Sequence, residues 1–230
     1  NFIVNDALKK NDLRASLILE PVAKNTTAAI YLGAQNSHPN DVLVIMSSDA
    51  FISDNHYFAH KINDISNKVD YSNWLIFGVK PKYPAEQYGY INVNLKDTGK
   101  LQNVYKVINF IEKPSKKNAE IMIKNKSIFW NSGIFMGRAS MIINSIQKHA
   151  PKIAQECDKA YQTQNYNPLN DEINFNKDAF NKIPSESIDY STMENADNVL
   201  FSPLECEWDD VGSWDALSKI SNLKNDKKNI

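Results

Sequence analysis

At 230 residues the chain is long enough for one large α/β unit or two small ones, with a sizeable core. A formal charge of −1, with Lys and Asp/Glu interspersed along most of the chain, argues against a nucleic-acid partner. No apolar run approaches the roughly 20 residues that cross a bilayer, and the first residues lack the basic and apolar regions of a secretion signal, so no membrane partner and a cytoplasmic location are expected. Cys157 and Cys206 belong to no C-x-x-C pair and are read as free thiols.

Phe2, Ile3, Ala7, Leu8 and Leu13 have helical spacing, and Ser16 to Glu20 reads as a short strand stopped by Pro21. Asn25 and Thr26 are expected to cap a helix over the small-residue segment Thr27 to Ala34, slim enough to lie close to a sheet. Val42 to Met46 is an unbroken apolar run and predicts a central strand covered on both faces. Phe58, Ile62, Ile65 and Val69 fall at i, i+4, i+7 and i+11, the stripe of an amphipathic helix, and Trp74 to Val79 predicts another buried strand. This alternation predicts an α/β fold with a doubly wound, mostly parallel mixed sheet. The rhythm then changes. Tyr90 to Leu95 and Val104 to Ile111 alternate about Asp97-Thr98-Gly99, predicting a hairpin inserted against the sheet. Beyond it, helices are expected over Lys116 to Asn125 and Arg138 to Ala150, the latter stopped by Pro151, with a strand over Gly133 to Met136 between them. Residues 163–174 read as a polar loop, Phe175 to Ile183 and Ser187 to Glu194 as brief helices, and Val199 to Leu204 as a strand. Ser213 is expected to cap a last helix from Trp214 to Ile220. One domain over 1–223 and a frayed tail at 224–230 complete the layout.

Four constellations could carry chemistry. Ligands gather beyond the carboxyl ends of strands in open α/β sheets, which gives Asp49, after Ser47-Ser48, a metal or substrate role; capping the next helix explains it equally well. Glu112-Lys113-Pro114 offers a carboxylate for sugar hydroxyls and an ammonium for phosphate, or a surface ion pair before a turn. Trp130-Asn131-Ser132-Gly133 suits either close backbone approach to a ligand or an ordinary turn. Trp208-Asp209-Asp210, ahead of Gly212-Ser213, places carboxylates where a second metal ligand would stand, and Asp49 with Asp210 could supply the one or two carboxylates that Mg²⁺ takes beside phosphate oxygens and water. His56 and His60 stand at i, i+4 with no third ligand evident and read as surface residues. No Walker A loop, G-x-G-x-x-G, H-E-x-x-H or G-x-S-x-G occurs.

The ordered set Glu20-Pro21-Val22-Ala23-Lys24-Asn25-Thr26, Ser47-Ser48-Asp49, Tyr88-Gly89-Tyr90-Ile91, Phe110 to Pro114, Trp130 to Gly133, Ser187 to Glu194 and Trp208 to Trp214 resembles the mannose-1-phosphate guanylyltransferases across nearly the whole chain. The resemblance implies a Rossmann-like nucleotidyltransferase fold that makes GDP-mannose and pyrophosphate from GTP and mannose 1-phosphate with Mg²⁺. It implies Asp49 and Asp210 as metal ligands, Glu20 as the guanine reader, and Asn25 and Thr26 as nucleoside supports. Gly89, Glu112 and Asn131 look like sugar contacts, with Lys113 as the catalytic group at phosphate. A carboxylate suits guanine, whose N1–H and N2–H₂ stand side by side. Self-association into a homo-oligomer is compatible with the sequence.

Three departures stand out. The family's G-G-x-G-x-R loop and downstream P-K-Q are absent, the sequence starting roughly in the family's third element. This agrees with the presence of only Arg14 and Arg138, since enzymes that grip triphosphates usually carry Arg. Glu86-Gln87 stand where Thr-Gly is usual, and Ala50 replaces a usual His. Many relatives continue into a cupin domain with phosphomannose isomerase activity. Two other functions stay open: a sugar-1-phosphate nucleotidyltransferase of different base or hexose specificity, and a non-catalytic relative that binds sugar nucleotides.

Overall fold

The computed structural model describes residues 2–96 and 103–211. The expected turn at Asp97-Thr98-Gly99, the Ser213 cap, the helix from Trp214 to Ile220 and the tail lie outside these residues. The chain divides into one unit formed by 1–41 and 138–196 and a second formed by 42–137 and 197–230.

In the first unit, α1 (Phe2–Lys10) precedes β1 (Leu17–Leu19), and α2 (Asn25–Gln35) follows. The small residues of α2 bury Thr27, Ala28, Ile30, Tyr31, Leu32 and Ala34, and its main partners are α5 (Ala139–His149) and α6 (Pro151–Tyr161) rather than a sheet. One polar network ties the three helices. The Tyr31 hydroxyl donates to Asp158 Oδ1 at 3.0 Å and accepts from Gln147 Nε2 at 3.0 Å, while Gln35 Nε2 donates to the same Asp158 oxygen at 2.7 Å. Pro151 does stop α5, and it also opens α6, because a helix tolerates proline at its first position, where no N–H is needed. β1 runs parallel to β9 (Glu172–Asn174), which pairs antiparallel with β8 (Asn165–Asn167). The stretch expected to be a loop therefore carries two strands, and β1 belongs to this small sheet rather than to the one containing Val42 to Ile45. After α7 (Lys177–Asn181), a π-helical turn at Asp189–Met193 is joined to α2: Thr27 Oγ1 donates to Glu186 O at 2.8 Å and shares a hydrogen with Ser191 Oγ at 2.9 Å.

The second unit is built on β4 (Trp74–Val79), whose six residues are all buried. Its sheet runs in the order β2 (Val42–Ile45), β7 (Ile128–Arg138), β4, β10 (Val199–Pro203), β6 (Tyr105–Ile111), β5 (Tyr90–Val93), and β5 also pairs with β7, closing a ring of five strands. Among the described registers, β4 and β10 are parallel, whereas β7 with β4, β6 with β10, and β5 with both β6 and β7 are antiparallel. The sheet is mixed, as expected, but antiparallel pairing outweighs parallel because the hairpin β5–β6 hydrogen-bonds into it. Phe58, Ile62 and Ile65 of α3 (Asn55–Ser66) pack onto the core of this sheet, Phe58 edge-on to Phe77 at 6.4 Å; Asp54 caps that helix by accepting from Tyr57 N at 2.8 Å. Two further strands, β3 (Ala50–Ile52) and β11 (Trp208–Asp210), form an antiparallel pair, and α4 (Lys116–Met122) starts at a Ser115 cap. β2 is not central: among the described strands it pairs with β7 alone, and Val44 and Met46 are 39% and 41% exposed. Nor are its faces covered as expected, since no residue of β2 is buried; an apolar run alone fixes neither a strand's place in the sheet nor what packs on it.

Candidate active site

The β3–β11 pair brings together two carboxylates that are 161 positions apart in sequence, since Asp210 lies opposite Ala50 and the Val211 N–H donates to the Asp49 carbonyl at 3.2 Å. Both Asp49 and Asp210 are exposed, in the same cleft as Gly89, Glu112, Lys113 and Asn131. Partial burial pushes the Asp210 carboxyl up, Asp49 and then Asp209 push it further, and Lys113 opposes them. Among the described residues, no group of three or more His, Cys, Asp or Glu side chains could hold a metal ion. His56 and His60 are exposed on α3.

Glu112 follows the last residue of β6, and Lys113 comes next with φ +47°, a turn that sends the chain off the strand direction. The Glu112 side chain is 8% exposed, and its Oε1 lies 3.5 Å from the Lys113 ammonium. Gly89 is the floor under that carboxylate. A Cβ there would meet Glu112 Oε2 at 2.4 Å, Phe110 Cζ at 3.0 Å and Asn131 Cβ at 3.2 Å, which only glycine avoids. The Asn131 N–H donates to the Gly89 carbonyl at 2.8 Å, so that oxygen already carries one bond. Asn131 and Gly133 sit inside β7, in a bulge rather than a turn before a strand: Gly133 has φ +67°, its N–H donates to Asn131 Oδ1 at 3.1 Å, and the register against β4 shifts between Ile76 and Gly78. Ser132 serves the frame, donating to Phe77 O at 2.7 Å. The unusual Glu86 also has a structural partner, its Oε1 accepting from Lys116 N at 2.9 Å at the start of α4.

The other expected site residues lie in the first unit. Glu20 follows β1; burial pushes its carboxyl up, and Oε1 is buried with no hydrogen-bond partner among the described residues. Asn25 does not cap α2. It begins the helix with φ +66°, and its Oδ1 accepts from Thr26 N at 2.9 Å, while the N-cap position is Lys24, without a side-chain cap. Thr26 Oγ1 accepts from Ile188 N at 2.9 Å, tying the start of α2 to the π-helical turn. Asn25 and Thr26 are exposed. Sequence reasoning assigned no role to Ser47, Tyr88 or Trp208, which line the same cleft as Asp49; all three stood inside the quoted motifs, which were the signal available.

Residues 1–227 match the family model described as nucleotidyl transferase. The chain belongs to that family. Curated relatives include the mannose-1-phosphate guanylyltransferase of Klebsiella pneumoniae, 33% identical over 224 residues, covering 96% of this chain and 47% of that protein. A second, mannose-1-phosphate guanylyltransferase RfbM of Salmonella typhimurium, is 35% identical over 237 residues, covering 100% and 48%. This chain thus spans about half the length of the curated relatives it matches. Among solved structures, a Helicobacter pylori protein described as mannose-6-phosphate isomerase superposes with a TM-score of 0.83 at 25% identity, over 91% of this chain and 80% of that one. A Thermus thermophilus protein described as mannose-1-phosphate geranyltransferase superposes with a TM-score of 0.74 at 24% identity, over 94% and 61%, a likeness of fold. The resemblance carried by the ordered motifs agrees with these names and with the Rossmann-like nucleotidyltransferase fold. No helix among the described residues is long and apolar enough to cross a membrane.

Proposed function

We propose that the chain is the nucleotidyltransferase part of a mannose-1-phosphate guanylyltransferase, moving GMP from GTP to mannose 1-phosphate and releasing pyrophosphate. The observation that carries this reading is the cleft in which Asp49 and Asp210 meet Glu112, Lys113, Gly89 and Asn131. Two carboxylates whose charges repel, partly offset by one ammonium, make a hard oxygen donor set. That set fits Mg²⁺, which takes one or two protein carboxylates and fills its remaining positions with phosphate oxygens and water, so no three-residue cluster is required. Asp49 and Asp210 would hold the ion, and when bound it would supply charge neutralisation at the reacting phosphates.

The remaining roles follow from the side chains themselves. Glu112, lying over Gly89, would accept hydrogen bonds from sugar hydroxyls, and Asn131 would fix the ring beside it. Lys113 reaches the same cleft from a tight turn and would neutralise the sugar phosphate as its oxygen attacks the α-phosphorus in line with the departing pyrophosphate. No group here needs to form a covalent intermediate. In the first unit, the unpartnered Glu20 oxygen supports an acceptor for guanine N1–H and N2–H₂, with Asn25 and Thr26 at the nucleoside. A cytoplasmic location accompanies this activity.

The test is pyrophosphate release with Mg²⁺ across GTP, ATP, UTP and dTTP against mannose 1-phosphate and glucose 1-phosphate, with Asp210→Asn as control. Turnover confined to GTP and mannose 1-phosphate, and lost in the control, is expected. Turnover with another pair would overturn the specificity, and a folded protein that binds GDP-mannose without turnover would be a non-catalytic relative.

A further inference from the structure

Glu112 and Lys113 are neighbours in sequence, and both line the cleft that holds Asp49 and Asp210. Extended backbone does not allow that, because successive side chains of a strand point to opposite faces. Were β6 to run on past Ile111, the carboxylate and the ammonium would leave on opposite sides of the sheet. What turns Lys113 to the side of Glu112 is its φ of +47°, a left-handed conformation that a lysine keeps only when its surroundings hold it there. Pro114 follows and disfavours the right-handed alternative, so the relaxed form of Lys113 is extended. The place of the ammonium therefore depends on what fixes the two ends of this turn.

The ladder fixes the near end. β5 and β6 pair antiparallel as far as Tyr90 with Ile111, and past that pair Glu112 lies over Gly89. On the far side of Lys113, Pro114 has no N–H to offer, and Ser115 caps α4 by accepting from Asn118 N. The Lys116 N–H is among the first of that helix, which the helix itself leaves unsatisfied. Glu86 supplies the acceptor: its Oε1 takes this hydrogen bond at 2.9 Å across 30 positions of sequence. One short segment, Glu86 to Tyr90, thus holds the turn at both ends, by backbone pairing at Tyr90 and by a carboxylate oxygen at Lys116.

We propose that Glu86 is a positioning residue for Lys113: by holding the Lys116 N–H it keeps the turn closed and the ammonium beside Glu112 in the cleft. The inference rests on the proposed reaction for what Lys113 does there, and on the geometry alone for the tie itself.

The test compares wild type with Glu86→Ala, Glu86→Gln, Lys113→Met and the double variant Glu86→Ala/Lys113→Met, reading kcat and KM with whichever nucleotide and sugar phosphate the wild type turns over. Glu86→Ala is expected to lower kcat roughly tenfold and to leave KM for the nucleotide unmoved. Glu86→Gln keeps an oxygen that can accept from Lys116 N, and should retain most of the rate. In the Lys113→Met background, Glu86→Ala should cost nothing further, since its effect passes through the ammonium. Amide hydrogen exchange gives a reading free of turnover: the Lys116 N–H should exchange faster in Glu86→Ala and not in Glu86→Gln, while the Asn131 N–H, bonded to the Gly89 carbonyl, stays protected and reports an intact fold. A full rate in Glu86→Ala would overturn the proposal, as would equal losses in the Ala and Gln variants or losses that add in the double variant. A wild type silent with every pair would overturn the proposed reaction instead. The tie would then be decided by Lys116 exchange and by affinity for mannose 1-phosphate, expected to fall in Glu86→Ala and Lys113→Met and to hold in Glu86→Gln; unchanged exchange and affinity in Glu86→Ala would overturn it.

Discussion

A carboxylate that reads guanine has to be ionised when the base arrives, and burial works against that at Glu20. As pH falls through its raised pKa, the carboxylate becomes a donor facing two donors. GTP affinity is therefore expected to weaken on acidification while the ordinary carboxylates are still ionised, and ATP affinity to stay flat. Glu20→Gln should remove that pH dependence and weaken GTP binding roughly 5- to 150-fold, the ~1–3 kcal/mol of a bidentate contact with one base; equal loss for GTP and ATP would discard the guanine role. Asp210 turns the same physics towards stability. Its carboxyl is raised by burial and by Asp49 and Asp209, so its contribution to the fold is full below its unfolded pKa and lost as pH rises through the folded value. At neutral pH the ionised group opposes folding. Asp210→Asn is expected to raise Tm at pH 7 while turnover drops on the order of 10²–10³-fold, the scale at which single charge-stabilising groups act.

At the scale of elements, two glycines with similar crowding are expected to respond differently. A Cβ at Gly78 in β4 would meet the Trp130 backbone carbonyl at 2.2 Å and the Phe201 ring at 2.9 Å, and neither the bulged strand β7 nor that buried ring can yield. Gly78→Ala should destabilise the protein by about 1–3 kcal/mol or more in a denaturant titration, as overpacking does. At Gly89 the closest atom is the tip of Glu112, which can turn away. Gly89→Ala is expected to cost less stability and to raise KM for the sugar phosphate. The same pairings mark the limit of sequence reading. The stripe from Phe58 to Ile65, the run Trp74 to Val79 and the alternation of Tyr90 to Val93 against Tyr105 to Ile111 are local patterns, and each became the element they predicted. Ala50–Ile52 and Trp208–Asp210 are too short to show a period, and each exists as a strand only because the other lies beside it. Asn165–Asn167 and Glu172–Asn174 are hidden by polar composition, since their pairing depends on backbone groups rather than side chains. The candidate site residues came from ordered motifs; their geometry was not legible there, because the bulge at Asn131 and the tie from Thr26 to Ile188 depend on contacts remote in sequence.

For the molecule as a whole, the two units divide the expected recognition: Glu20, Asn25 and Thr26 belong to the first, and the carboxylate cleft to the second. Ligand-induced stabilisation separates their contributions without any assumption about how the units are arranged. A ligand at one hundred times its Kd adds about 2.7 kcal/mol, and for a chain of this length each kcal/mol raises Tm by about 2–4 °C, so a shift of roughly 5–10 °C is expected with either substrate. Glu20→Gln should reduce the shift given by GTP with Mg²⁺, by about a third at a fivefold loss of affinity and by most of it at the upper end of that range, and leave that given by mannose 1-phosphate. Glu112→Gln should do the reverse, because its carboxylate lies over Gly89 in the cleft and has no part in the first unit. If either substitution removed both shifts, the ligands would be sharing one set of contacts, and the assignment of base to one unit and sugar phosphate to the other would have to be withdrawn.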